Sequence, residues 1–312
     1  MQAATVIPRL RSLVIGGARF RTLALTQAFM LWVIVATGAT VRLTASGLGC
    51  EHWPGCQPGH PFPEKDYHSY IEFSNRLVAT VTIAVTLITL VSALMRRGLP
   101  RWTVWVVAGT FVGTVAQAPL GAITVYADLH PLLVLSHLLL SMVVLAAGVV
   151  VAVEAIRIEQ GETTPYVPLA IKRLGVLVAG ACLALVVSGT LVTAAGPHPG
   201  GKSIRRLWSF RPAVEVHVRA TAVFGLLFLA LLAYTWRNRG RWPGLFRAAL
   251  VVLGFVVVQM IVGETQYRTR LPWWLVLGHV SLAAAVWAAV VAFATLLWRP
   301  IAAIAPARAR VD

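Results

Sequence analysis

The chain has 312 residues, of which 58% are hydrophobic and only 12% charged. A soluble domain carries roughly 25% charged residues, so this composition excludes one. The formal net charge of +16 would suit nucleic acid, but the placement of the basic residues along the chain argues against that partner.

Apolar residues come in eight runs of about 20 residues, the length that crosses a hydrocarbon core: near 22–42, 70–95, 101–125, 130–154, 170–194, 213–236, 245–264 and 271–298. Arg9, Arg11, Arg19 and Arg21 precede the first run. That arrangement also suits a cleaved signal peptide, but the run is long for one. Arg96, Arg97 and Arg101 fall between runs two and three; Arg157, Lys172 and Arg173 between four and five; Arg237, Arg239, Arg241 and Arg247 between six and seven; Arg299, Arg308 and Arg310 after the last. If the spans alternate, all these segments share one side. The positive-inside rule makes that side cytoplasmic, with both termini inside a plasma membrane. The excess positive charge then sets orientation and touches anionic lipid, with no nucleic acid involved.

The expected fold is an all-α membrane protein with eight transmembrane helices in two pseudo-symmetric four-helix bundles. Residues 1–158 form the first, 159–169 a polar linker and 170–312 the second. The basis is an internal repeat at an offset of 142. It carries Asn75 onto His217, Gln117 onto Gln259, Gly121 onto Gly263 and His137 onto His279, with Leu133-Val134-Leu135 recurring as Leu275-Val276-Leu277. Further upstream, Thr37-Gly38 resembles Ser188-Gly189. Such self-similarity marks a duplicated unit. Four spans per unit put both halves the same way round in the membrane, related by an axis along its normal.

Ionisable residues inside a membrane are costly and face a bundle interior with a function. Here they are few and gather towards the outer face: Glu72, Asn75 and Arg76 opening the second span, His137 in the fourth, Glu215, His217 and Arg219 opening the sixth, and His279 in the eighth. His217 and His279 stand at matched depth on two helices of one bundle, the way four-helix bundles hold a haem iron. Haem propionates would then point outward to Lys202, Arg205, Arg206 and Arg211, or to Arg219. Zinc is the poorer fit, since no thiolate or carboxylate stands at that depth. In the first half Asn75 replaces the first histidine and is a poor iron ligand, leaving His137 alone on iron. Glu72, one turn before Asn75, is placed to move a proton or stabilise developing charge beside a haem edge. The bland alternative is a pair with Arg76 at i+4. Gln117 and Gln259 read as interhelical hydrogen-bonding residues.

Cys50 and Cys56 bracket an outer loop, where a disulfide is favoured; with His52 and His60 the same loop could instead offer two Cys and two His to zinc. Cys182 reads as a small packing residue.

The run Thr44-Ala45-Ser46-Gly47-Leu48-Gly49-Cys50, the Trp53-Pro54-x-Cys56 element and Ile71-Glu72-Phe73-Ser74-Asn75-Arg76 resemble the haem A synthases, with His137, His217 and His279 where that family keeps haem-ligating histidines. The resemblance covers about residues 20–298. It implies an oxidoreductase that converts a methyl group of haem O to the formyl group of haem A through a hydroxymethyl stage, for cytochrome oxidase. It implies haem b on His217 and His279 as electron carrier, the substrate haem in the first half, Glu72 needed for chemistry and a Cys50–Cys56 disulfide. Haem O synthase and the oxidase assembly machinery are the implied partners. One departure is Asn75, where many members have histidine; His130, His52, His60 or His68 could supply a second ligand, or five-coordinate iron could suffice. Two other classes compete: a di-haem b cytochrome exchanging electrons with quinone, which would not need Glu72, and a transporter. Transporters favour broken helices and polar sites near the midplane, and these spans show neither.

Overall fold

The computed structural model describes residues 16–50, 52, 55–57, 59, 62–63, 66–161, 167–198, 200 and 206–301. Trp53, Pro54, His60, Lys202, Arg205, residues 162–166 of the expected linker and the arginines at 9, 11, 308 and 310 lie outside that set.

Among the described residues eight helices follow one another: α1 Gly17–Leu43, α2 Tyr67–Met95, α3 Arg101–Tyr126, α4 Pro131–Gln160, α5 Leu169–Ala195, α6 Phe210–Arg237, α7 Pro243–Arg268 and α8 Trp273–Trp298. Every one is long and apolar enough to cross a membrane. The chain is a multi-pass membrane protein. Its surface agrees, since Trp105 (76% exposed) and Leu226 (71% exposed) point away from the protein, as side chains bathed in lipid do.

Local signals set the helix ends. Asp66 caps α2 by accepting the Ser69 N–H at 3.1 Å, and that hydrogen bond holds its carboxyl below the usual carboxylate range. Pro131 and Pro243 open α4 and α7, where a missing N–H costs nothing. Gly161, at φ +90°, ends α4. Pro119 lies within α3 and removes one backbone donor, yet the helix runs on unbroken to Tyr126.

α1 packs on α2 and α4, and α3 packs on α2 and α4, closing a ring. α5 packs on α6 and α8, and α7 packs on α6 and α8, in the same order. The rings meet through α1 on α8, α4 on α8 and α4 on α5. Lipid tails are as apolar as leucine, so these contacts rely on close packing and interhelical hydrogen bonds. A Cβ on Gly148 would meet Leu31 at 2.6 Å and one on Gly175 would meet Leu297 at 2.4 Å, so large side chains seat on glycine. Indole N–H groups bind carbonyls across the ring interface, Trp32 to Ser281 at 2.9 Å and Trp287 to Met142 at 2.8 Å. At the opposite end from the histidines, fully buried Glu154 accepts from Arg157 of its own helix and from Arg299 after α8. Removing either partner from such a buried cluster is costly.

The repeat also appears in the backbone. Asp128 and Leu129 before α4 have φ of 50° and 55°; Arg270 and Leu271 before α8, at the same offset of 142, have 63° and 61°. Leu129 N–H bonds Thr124 O at 2.9 Å and Leu271 N–H bonds Gln266 O at 2.7 Å. A leucine in the left-handed region costs on the order of 1 kcal/mol. Both halves tolerate that strain at the same turn.

Candidate functional site

His137, His217 and His279 each pack against a glycine on a neighbouring helix, with a hydroxyl beside His217 and a glutamine beside His137 and His279. In the second ring Ser188 Oγ on α5 lies 2.9 Å from His217 Nδ1 on α6, and a Cβ on Gly189 would stand 3.2 Å from His217 Cε1. On α7, a Cβ on Gly263 would stand 3.0 Å from His279 Cε1 on α8. A larger residue at either glycine would press on the ring and require it to shift. The His217 and His279 rings face each other with centroids 6.5 Å apart at 73°. Two metal–imidazole bonds of about 2 Å, with about 1.1 Å from nitrogen to ring centre at either end, also span about 6 Å. With Nδ1 of His217 engaged by Ser188, its Nε2 is left to bind. The Gln259 amide lies 3.3 Å from His279 Nε2 and would give way to a metal there. The residues present therefore fit a bis-histidine haem iron.

The first ring repeats the frame with other chemistry. Thr37 Oγ1 on α1 donates to Asn75 Oδ1 on α2 at 2.7 Å, where Ser188 meets His217. A Cβ on Gly121 of α3 would lie 3.5 Å from His137 Cε1 on α4, ordinary contact. Gln117 donates to the His137 carbonyl at 3.3 Å and to Ser141 Oγ at 2.8 Å, leaving the ring alone. Buried His137 Nδ1 has no hydrogen-bond partner among the described residues.

Glu72, Asn75, Arg76 and His137 all line one cavity of about 550 Å³, within the range of small-molecule and cofactor sites. Most of the wall is apolar, including Leu31, Val35, Ile83 and Val144. Four helices of the first ring do not complete it. Thr190, Thr193 and Ala194 of α5, Gly200, and Val280 of α8, the residue after His279, close one side.

Glu72 is 5% exposed and makes the ion pair weighed as its bland alternative, with Arg76 Nη2 at 2.5 Å from Oε1. Its Oε2 accepts the Cys50 N–H at 2.9 Å. Arg76 also donates to the His52 carbonyl at 2.7 Å and to that of Gly55. Cys50 and Cys56 are disulfide-bonded, which removes the thiolates that a zinc site in this loop would need. The loop thus clasps the carboxylate from outside while its other face looks into the cavity.

Other expected residues stand apart. Arg219 and Arg211 are exposed and lie 3.8 and 3.6 Å from Glu215. Arg206 donates to Ala195 O at 3.4 Å. His68 meets Ser46 Oγ at 3.0 Å, and none of His52, His68 and His130 lines the cavity. Cys182 is buried and free, as a packing residue. The sequence reading missed Arg42, at the end of α1, which lines the cavity and donates to Thr193 O at 2.6 Å.

Residues 21–291 match the COX15-CtaA family, described as a cytochrome oxidase assembly protein. The chain belongs to this family. Among its relatives, a protein of Shewanella oneidensis named heme A synthase is 25% identical over 88% of this chain and 96% of its own length. A heme A synthase of Bacillus pumilus is 31% identical over 48% of this chain, and the match spans about half (49%) of that relative. One of Geobacillus kaustophilus is 30% identical over 39% of this chain and 38% of its own length. The family's description gives it a role in cytochrome oxidase assembly.

Proposed function

We propose that this protein is a haem A synthase, an oxidoreductase that converts a methyl group of haem O to the formyl group of haem A through a hydroxymethyl stage. The observation that carries the reading is the cavity in the first ring, which gathers Glu72, Asn75, Arg76 and His137 inside an apolar wall suited to a flat porphyrin. The names of the relatives point the same way. Haem O is the substrate, and haem b held by His217 and His279 supplies one-electron transfer when bound. Haem O synthase and cytochrome oxidase assembly factors are the partners this chemistry needs.

The chain's own residues divide the work. His137 offers the substrate iron one imidazole. Asn75, held by Thr37, would offer that iron only a weakly coordinating amide. Glu72 stands at the porphyrin edge as proton acceptor, with Arg76 and the Cys50 N–H holding the carboxylate in place. The apolar wall excludes water from the reacting methyl. The two rings form two pseudo-symmetric halves, the first (1–158) catalytic and the second (170–312) electron-carrying; their shared packing order and paired left-handed turns support the likeness of the halves, and the residues in which they differ support the division. Basic residues between α2 and α3, α4 and α5, and α6 and α7 support a plasma-membrane protein with both termini in the cytoplasm.

The test is haem extraction and chromatography from cells that co-express the chain with a source of haem O. Haem A is expected. Glu72→Gln should retain bound haem and lower haem A formation by about 100-fold or more, the range of general acid–base catalysis. Tightly bound haem b without conversion would favour the quinone-linked cytochrome instead.

A further inference from the structure

Arg42 is a cation in the wall of an apolar cavity without an acidic partner among the described residues. Several other arginines near buried surfaces have one: Arg76 pairs with Glu72, Arg157 and Arg299 with Glu154, and Arg21 with Glu159; Arg96 stacks on Phe20 instead and lines no part of this cavity. The polar contact made by Arg42 is a donation from Nη2 to the Thr193 carbonyl. That bond uses one donor of five in a group that stays charged at any working pH. Desolvating such a group without a counter-charge is expensive, and the cost is recovered when a ligand brings the charge.

The surroundings keep the guanidinium approachable and fixed. It leaves the last turn of α1, is tied to α5, and passes beneath Gly200, where a Cβ would lie 3.6 Å from Arg42 Cγ. Gly200 has φ +101°, so a side chain there is strained as well as crowding. Glu72 and His137 line the same cavity. A planar fork matches a carboxylate with two parallel hydrogen bonds.

From these observations we infer that Arg42 binds a propionate carboxylate of the porphyrin substrate and so sets which way the macrocycle lies against Glu72 and His137. This inference rests on the substrate reading above and adds an orienting, specificity-determining residue to it. It also makes the second ring part of the substrate site, because Thr193 holds the arginine in place.

The experiment is a difference-absorbance titration of the detergent-solubilised full chain with haem O and, separately, with its propionate dimethyl ester. The wild-type protein should bind the free acid about tenfold more tightly, the size of a hydrogen-bonded charge contact. Arg42→Gln should bind both forms equally, near the affinity of the ester. Arg42→Lys, which keeps the charge and loses the fork, should keep about a threefold preference. Arg268→Gln, at an exposed ion pair on α7, should behave as wild type. An unchanged preference in either Arg42 variant, judged folded by an unaltered gel-filtration profile, overturns the assignment. Equal binding of acid and ester by the wild type overturns it too while leaving the substrate reading intact. Failure of both forms to bind the wild type overturns the substrate reading, and this inference with it.

Discussion

The two rings share one frame and differ at a handful of positions that carry the chemistry. Around position 75 or 217 both have a hydroxyl and a glycine on the neighbouring helix; around 137 or 279 both have a glutamine and a glycine. The contents diverge. Asn75 stands where the second ring has His217, and the Glu72–Arg76 pair occupies positions that hold Val214 and Val218 there. Ser141 draws the Gln117 amide away from His137, whereas its counterpart Ala283 leaves Gln259 against the His279 ring. A duplicated scaffold can therefore keep its slots for rings and reassign their work by exchanging a few side chains.

The comparison breaks most visibly at the ligands. His217→Ala or His279→Ala should abolish the low-spin b-type absorption of the purified protein, and survival of that spectrum in both variants would remove the pair as ligands. A milder effect separates the glycines. Gly263→Ala places a methyl 3.0 Å from His279 Cε1, so the ring must shift, whereas Gly121→Ala makes ordinary contact with His137 at 3.5 Å. Overpacking of that kind costs about 1–3 kcal/mol. Haem retained through purification should fall about tenfold or more in Gly263→Ala and stay unchanged in Gly121→Ala; equal loss in both would mean that the slots are not distinct. The smallest change sharpens the comparison from the other side. Asn75→His puts an imidazole next to Thr37, and a Cβ on Gly38 would lie 4.0 Å from the present Asn75 Oδ1, so there is room. A second low-spin signal should appear when haem O is added, without a change in the first.

Much of this was legible in the sequence. The eight spans follow from run length, and the helices extend past the apolar runs because polar ends such as Tyr67–Ser69 complete capped turns outside them. The constant offset pairs Asn75 with His217 in the sequence, and the similar Thr37-Gly38 and Ser188-Gly189 are residues that lie against them. The left-handed pairs at Asp128-Leu129 and Arg270-Leu271 were not legible, since neither carries the glycine that usually announces such a turn. Arg42 escaped notice for another reason. An arginine at the end of a span looks like a lipid-headgroup contact, and only the approach of α5 to α1 shows that it faces inward.

The wall supplied by α5, Gly200 and α8 bears on how such a molecule could arise. A chain with only the first four helices would carry a chamber open along one flank. Association with a second copy across the same face would shut it, at a cost in translational entropy paid at every encounter. Joining the copies end to end replaces that encounter with a tethered one at high effective concentration. In a chain joined in this way, each half is free to lose whatever its neighbour still provides.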